Sequence, residues 1–306
     1  MRIAYLMLVH THARLLKRAI RTLSTQDCGF FIHIDAKANI EEFSGVRGEN
    51  VFFSEDRIPV SWGEFSLVES TLLLTRQALD RPESYDYFVL LSGSDYPLRS
   101  GRYIRKFLED NRGLEFMNLV KMPAPGFPLS KINKLRYPSD KPVRRFAMRA
   151  LAKMDLAERD FRKSLMGLEP YAGSQWWALS RDAARHIMEY AKANPHVEEY
   201  FRNTFTSDEM FFHTILGNSA FQPRIRRNLV YADWSASLGE HPATLNDEHV
   251  KYFESREMVW IEDEWGSGEM LFARKFSEDN LDLLDRVDAM IRRKEKYHPT
   301  SPRVNA

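Results

Sequence analysis

The run Phe88–Leu91, inside YDYFVLLSGSDYPL (Tyr85–Leu98), constrains the fold more than any other stretch. Consecutive apolar residues cannot alternate between a wet and a dry face. They call for a strand covered on both sides, as in the parallel sheet of an α/β domain. The run stops at Ser92, Gly93, Ser94 and Asp95, with Pro97 just beyond. Small polar residues there let backbone and ligand approach closely, and in open α/β sheets ligands gather beyond the carboxyl ends of strands. Ser92 and Asp95 are therefore candidate site residues. The same Asp95 also suits a plain turn in which its side chain accepts from backbone donors.

Similar signals recur along the chain. Ile3–Val9 reads as a strand ending in His10-Thr11-His12, and Leu15, Leu16, Ala19, Ile20 and Leu23 follow at helical spacing. Phe30–Ile34 is a second buried-type strand ending in Asp35, and Val51–Phe53 is a third. Ser61-x-x-Glu64 has the form of a capping box before a helix over Phe65–Leu79. Ser100 caps a helix through Leu108, and Glu115–Val120 reads as another strand. Farther on, Gly173–Leu179 is a strand with adjacent tryptophans, Trp176 and Trp177, which in a strand point to opposite faces. Helices follow Ser180 and Pro195, Thr206-x-x-Glu209 opens a helix through Leu216, and an amphipathic helix spans Leu281–Lys294. This alternation predicts an α/β nucleotide-binding domain. There is no Walker loop and no GxGxxG, so a diphosphate must be held by other means.

Charge separates the function classes only weakly. With 44 Lys+Arg against 43 Asp+Glu, net charge gives no pull toward a polyanion, and no nucleic-acid partner is expected. Cys28 stands alone, so intramolecular disulfides are impossible and a reducing compartment is favoured. No apolar run approaches the roughly 18 residues of a membrane helix, and the opening MRIAYLMLVH reads as a strand, not a signal peptide. One region departs from balance. Between residues 131 and 153, Lys131, Lys134, Arg136, Lys141, Arg144, Arg145, Arg149 and Lys153 face only Asp140. This Pro-punctuated stretch suits a phosphate, an anionic acceptor or a membrane surface, and equally a solvated insertion.

Several residues could carry chemistry. Glu209 suits a helix cap, and it also suits a general base, because a carboxylate in a cleft can take a proton from a hydroxyl nucleophile. Arg274-Lys275 suits a surface pair, or a diphosphate clamp in which fixed cations replace a metal. His10-x-His12 with His33-x-Asp35 raises a metal site as a competing idea.

Taken in order, Leu8-Val9-His10, His33-Ile34-Asp35-Ala36-Lys37, Val60-Ser61-Trp62, Ser92-Gly93-Ser94-Asp95-Tyr96-Pro97-Leu98, Gly173–Arg181, Ser207-Asp208-Glu209 and Phe272–Phe276 resemble the core-2/I-branching glycosyltransferase family. That family also includes the peptide O-xylosyltransferases. The resemblance spans about residues 3–280. It implies a GT-A type α/β fold, with a Rossmann-like nucleotide-binding half fused to an acceptor half. It implies inverting transfer from UDP-GlcNAc, favoured here, or UDP-xylose to a glycan or peptide hydroxyl, with no cofactor and no metal. By the same resemblance Glu209 is the catalytic base. It puts Val9 and Asp35 at the uridine and Lys275 at the diphosphate, with Arg274 and Arg256 the candidates for the second cation of the clamp; His10, Ser92 and Asp95 are further donor-binding candidates. Arg136 and Trp234 fall near acceptor-contacting positions, and Trp177 is a further acceptor-binding candidate.

The organisation expected is one catalytic domain over 1–280, made of a nucleotide-sugar half (1–122), a basic insertion (123–170) and an acceptor half (171–280). A C-terminal helix and tail (281–306) follow. Beside the animal members, the expectation is a chain without their membrane anchor, stem region or cysteine set, and with a basic loop of its own. The expectation is a cytoplasmic enzyme, peripheral at the inner membrane face through residues 131–163. Two other classes stay open: a non-catalytic nucleotide or glycan binder of the same fold, and a metallohydrolase using His10, His12, His33 and Asp35.

Overall fold

The computed structural model describes residues 1–135, 159–235 and 241–297. In chain order its strands are β1 (Ile3–Val9), β2 (Cys28–Ile34), β3 (Val51–Phe53), β4 (Tyr87–Ser92), β5 (Tyr96–Pro97), β6 (Glu115–Met117) and β7 (Val120–Lys121). They continue as β8 (Tyr171–Ala172), β9 (Trp177–Ser180), β10 (Ile225–Arg226), β11 (Val230–Ala232), β12 (Trp260–Asp263), β13 (Gly266–Glu269) and β14 (Phe272–Arg274).

The main sheet has the order β10-β6-β9-β4-β1-β2-β3. Strands β3, β2, β1 and β4 are mutually parallel, while β9 runs antiparallel to both β4 and β6. Every residue of β1 and β2 is buried, and β4 is buried up to its last residue. This is why these three strands read as largely apolar runs, and the imidazole inside β2, His33, is accommodated by accepting from Ile58 N–H. The helix Ser66–Leu79 packs on β1 and β2. The helix Ala13–Leu23 buries Leu15, Leu16, Ala19, Ile20 and Leu23, the set its spacing predicts.

Because β1 lies between β2 and β4, the chain winds outward in both directions from it. The crevice beyond β1 and β4 is thus a topological switch point, where such sheets bind ligands. The residues that leave these strands are Val9-His10, Asp35 and Ser92–Asp95.

A second, smaller sheet, β11-β14-β5, lies at the edge of this crevice. Tyr96 in β5 pairs with Ala273 in β14. Phe276 N–H donates to the Ser94 carbonyl at 2.9 Å. These pairings bring the turn after β4 against the far end of the chain. Behind them lies a second core, in which Leu283, Leu284 and Val287 of the helix Leu281–Tyr297 meet Tyr96, Leu98, Phe253 and Phe276.

Several local expectations change. The Ser100 cap is present, accepting from Tyr103 N–H, and the helix expected after Ser180 begins at Arg181, with the Ser180 side chain accepting from Ala183 N–H. The Ser61 capping box is absent: the helix starts at Ser66 without a side-chain cap, and Ser61 N–H instead donates to Ser66 Oγ at 2.9 Å. Thr206 does not open a helix either. It adopts a left-handed φ of 52°, Ser207–Glu209 form one 3₁₀ turn, and the helix begins only at Phe211. The strand expected over Glu115–Val120 splits into β6 and β7.

Candidate active site

A cleft of about 1430 Å³ opens at the carboxyl ends of β1, β2 and β4. Val9, His10, Asp35, Ser92, Glu209, Trp234, Arg274 and Lys275 all line it. Residues scattered through the sequence thus share one wall system.

Asp35 is pinned by its own turn. Its Oδ1 accepts from Lys37 N–H (2.9 Å) and Val60 N–H (3.3 Å), and its backbone N–H donates to the Val9 carbonyl at 2.8 Å. The turn reading and the site reading therefore both hold in geometry, since the carboxylate is fixed and still borders the cleft. His33, just before it, is buried, and its Nε2 accepts from Ile58 N–H at 2.8 Å. Burial lowers its pKa and keeps the ring neutral. Among the described residues no group of three or more His, Cys, Asp or Glu is arranged to hold a metal ion, so His10, His12, His33 and Asp35 do not converge as one.

Asp95 corrects an expectation. It does not line the cleft. It is buried behind Arg274, with Nε of Arg274 3.3 Å from its Oδ1, while its Oδ2 accepts from Ser92 N–H. Burial pushes its pKa up, and Arg274 opposes that rise. The pairing follows from the β5–β14 register, because the residue before β5 meets the last residue of β14.

Arg274 is therefore no surface cation. Its side chain is 13% exposed and its guanidinium lies 4.1 Å over the Trp176 ring. Lys275 follows it into the cleft, its pKa lowered by burial and then by Arg274. Arg256 lies elsewhere, over the Tyr252 ring at 4.3 Å, and takes no part in the cleft wall.

Trp177 also corrects an expectation. The two indoles do part, one to the core and one to the cleft, but the other way round from the assignment of Trp177 to the acceptor. Trp177 is 2% exposed and packs on Phe212 in the core, while Trp176 borders the cleft. Trp234 is 53% exposed at the rim. Arg136 lies outside the described residues, as does the basic run from 136 to 158.

Glu209 sits on the 3₁₀ turn Ser207–Glu209, with its side chain 31% exposed to the cleft. Its carbonyl accepts from Gly173 N–H at 2.9 Å, tying it to the loop that carries Trp176. Glycine is required at 173, because a Cβ there would stand 1.8 Å from the Asn118 carbonyl oxygen. Burial raises the Glu209 pKa, and Lys131 opposes the rise, with Nζ 3.5 Å from Oε2. Asp208 beside it is buried, with its pKa pushed up to about 7 by burial and by the Glu209 charge. Sequence reasoning did not single out Asp208 and Lys131 as cleft residues, and of the two adjacent tryptophans it chose Trp177. Lys131 was hidden in the basic run, and Asp208 is visible only as the middle of Ser-Asp-Glu.

Chemically, the cleft offers a carboxylate able to take a proton and a cation pair able to meet negative charge. A model of the Core-2/I-Branching enzyme family matches residues 3–261. Xylosyltransferase 2 of Rattus norvegicus is 26% identical over 322 residues, covering 100% of this chain and 35% of that protein. The Homo sapiens protein of the same name is 26% identical over 324 residues, again with 100% and 35% coverage. Xylosyltransferase 1 of Rattus norvegicus is 25% identical over 248 residues, 78% of this chain and 28% of that protein. The chain thus spans about a third of the length of these relatives.

Proposed function

The chain belongs to the Core-2/I-Branching enzyme family, whose fold is GT-A-like, and from that premise we propose that it is an inverting, metal-independent glycosyltransferase using a UDP-sugar. The observation that carries this reading is a single cleft holding Glu209 together with the cations Arg274 and Lys275, at the carboxyl ends of the parallel strands. Glu209 takes the proton of an acceptor hydroxyl on a glycan or peptide. The acceptor oxygen then attacks the anomeric carbon from the side opposite the leaving group. The bond from that carbon to the β-phosphate oxygen breaks, its electron pair stays with UDP, and configuration inverts.

The charge that appears on the diphosphate is met by Lys275 and Arg274. This accounts for the lone carboxylate after β4: Asp95 serves Arg274. Val9 and Asp35 form the nucleoside end of the site, and Trp234 offers an exposed ring for the acceptor. The donor is UDP-GlcNAc or UDP-xylose. The shared motifs point to the first, and the names of the relatives point to the second.

A thermal-shift panel of UDP, UDP-GlcNAc, UDP-xylose and UDP-glucose, with and without EDTA, tests the proposal. A ligand at about a hundred times its dissociation constant adds roughly 2.7 kcal/mol. Stabilisation by one UDP-sugar that survives EDTA is the expected result and names the donor. No shift with any UDP species overturns the donor assignment, and a shift abolished by EDTA overturns metal independence. Lys275→Ala is expected to weaken UDP binding about tenfold or more in calorimetry, since a charge-assisted contact contributes roughly 1.5–3 kcal/mol. An unchanged affinity would remove Lys275 from the clamp.

A further inference from the structure

Lys131 heads a basic run in the sequence, yet it is not directed outward like a solvated charge. Its Nζ lies 3.5 Å from Glu209 Oε2 and 4.6 Å from the centre of the Phe127 ring. The turn that carries it is held in place. Lys131 N–H donates to the Pro128 carbonyl at 3.0 Å. Ile132, the next residue, is fully buried, and its carbonyl accepts from Tyr200 Oη (2.9 Å) and Arg159 Nη2 (3.2 Å). Arg159 N–H donates to the Asn133 carbonyl at 2.7 Å. Phe127 in turn packs edge-on against Trp265, at the turn between β12 and β13, with ring centres 6.0 Å apart. An ammonium presented on so fixed a turn, against a ring and a cleft carboxylate, has lost the freedom of a surface lysine.

We propose that Lys131 is a positioning residue that keeps Glu209 ionised and orients its carboxylate in the cleft. The proposal rests on the reading of Glu209 as the base. Opposed influences act on that carboxylate. Burial raises its pKa and favours the protonated form, which cannot accept a proton; the Lys131 charge and hydrogen bond first, and the Thr206 hydroxyl after them, pull the pKa back.

The other charged or titratable groups around it do not replace Lys131. Asp208, its neighbour on the same turn, is a carboxylate and adds repulsion when ionised. Arg274 feels the field of Asp95 first and of Asp208 second. His213, on the helix behind, is buried, with its pKa lowered to about 3 and its Nε2 bonded to the Ser174 carbonyl. Glu69, on the helix Ser66–Leu79, is paired with Arg202.

The test is the pH profile of kcat/KM for Lys131→Met and Lys131→Arg beside the parent chain and Glu209→Gln. Removing an opposite charge at this range raises a carboxyl pKa by about one pH unit, taking the low end because the pair is partly exposed. The acidic limb of Lys131→Met is therefore expected about one unit higher, with a roughly tenfold loss on the acid side. Recovery toward the parent is expected on the alkaline side, and Lys131→Arg restores the limb. An unmoved limb overturns the proposal, whether activity is retained or lost through a raised acceptor KM alone. That result alongside an inactive Glu209→Gln leaves the base reading intact. Transfer retained in Glu209→Gln removes both. A UDP thermal shift equal to the parent's verifies that each variant is folded.

Discussion

Glu209→Gln is expected to leave UDP binding unchanged and to cut sugar transfer by about 10²–10⁴-fold, the usual contribution of a positioned general base. The amide is nearly isosteric, so the fit of the turn Ser207–Glu209 against Gly173 is retained: that contact uses the backbone carbonyl, not the side chain. The change removes only the ability to accept a proton at neutral pH. Folding should not suffer, because Glu209 carries one of two adjacent carboxylates, and its charge raises the pKa of Asp208. Neutralising it relieves that repulsion. The measurements are kcat for transfer and the UDP-induced thermal shift. A kcat within about tenfold of the parent would take Glu209 out of the base role. A parent chain that binds a UDP-sugar without transferring it to any acceptor would favour a binding protein on the same fold.

Asp95→Ala is the substitution expected to cost most stability. The Asp95 side chain is 0% exposed and that of Arg274 is 13% exposed. Removing one partner of a buried ion pair leaves the other charged and desolvated, which costs about 3–5 kcal/mol. The low end applies here, because Asp208 also acts on Arg274 and Trp176 still covers its guanidinium. Ser92 N–H loses its acceptor as well. At roughly 2–4 °C per kcal/mol for a domain approaching this size, a Tm drop of about 6–12 °C is expected in calorimetry. UDP affinity should fall in parallel, since Arg274 is then no longer held beside Lys275. Asp95→Asn should cost less, because its amide oxygen can still accept from Ser92 N–H while the charge is lost. A Tm within about 2 °C of the parent for Asp95→Ala would show that the pair contributes nothing to the fold.

Much of the frame was legible in the chain. The apolar runs of β1, β2 and β4 are legible because full burial selects against polar side chains, His33 being accommodated by its bond from Ile58 N–H, and their ends are legible because polar residues gather where the cover stops. The strand ends put forward Asp35, Ser92 and Asp95, of which the first two line the cleft and Asp95 does not. The Ser100 cap and the helix start after Ser180 were legible for a related reason: each serine satisfies a backbone donor within three residues, so the deciding contact is local. The caps expected of Ser61 and Thr206 follow the same sequence rule and are absent. At Ser61 the Ser66 hydroxyl accepts the bond, and at Thr206 the backbone is left-handed, with its N–H donating to the Gly63 carbonyl at 2.8 Å. Tertiary contacts outweighed a capping contribution of about 1 kcal/mol.

What the sequence by itself determined, then, is which segments are buried and where they stop, because periodicity and backbone capping depend on neighbours a few residues apart. What only the tertiary structure decided is who meets whom across the cleft. Asp95 lies behind Arg274 because Tyr96 pairs with Ala273 across two sheet strands. Trp176, not Trp177, faces the site because Trp177, the first residue of β9, packs on Phe212 in the core. Lys131 meets Glu209 because Ile132 is buried under Tyr200 and Arg159. Each of these is fixed by the register of a strand or the anchoring of a turn against residues far away in sequence. That energy is gained only when the whole core closes, so no local pattern could have revealed it.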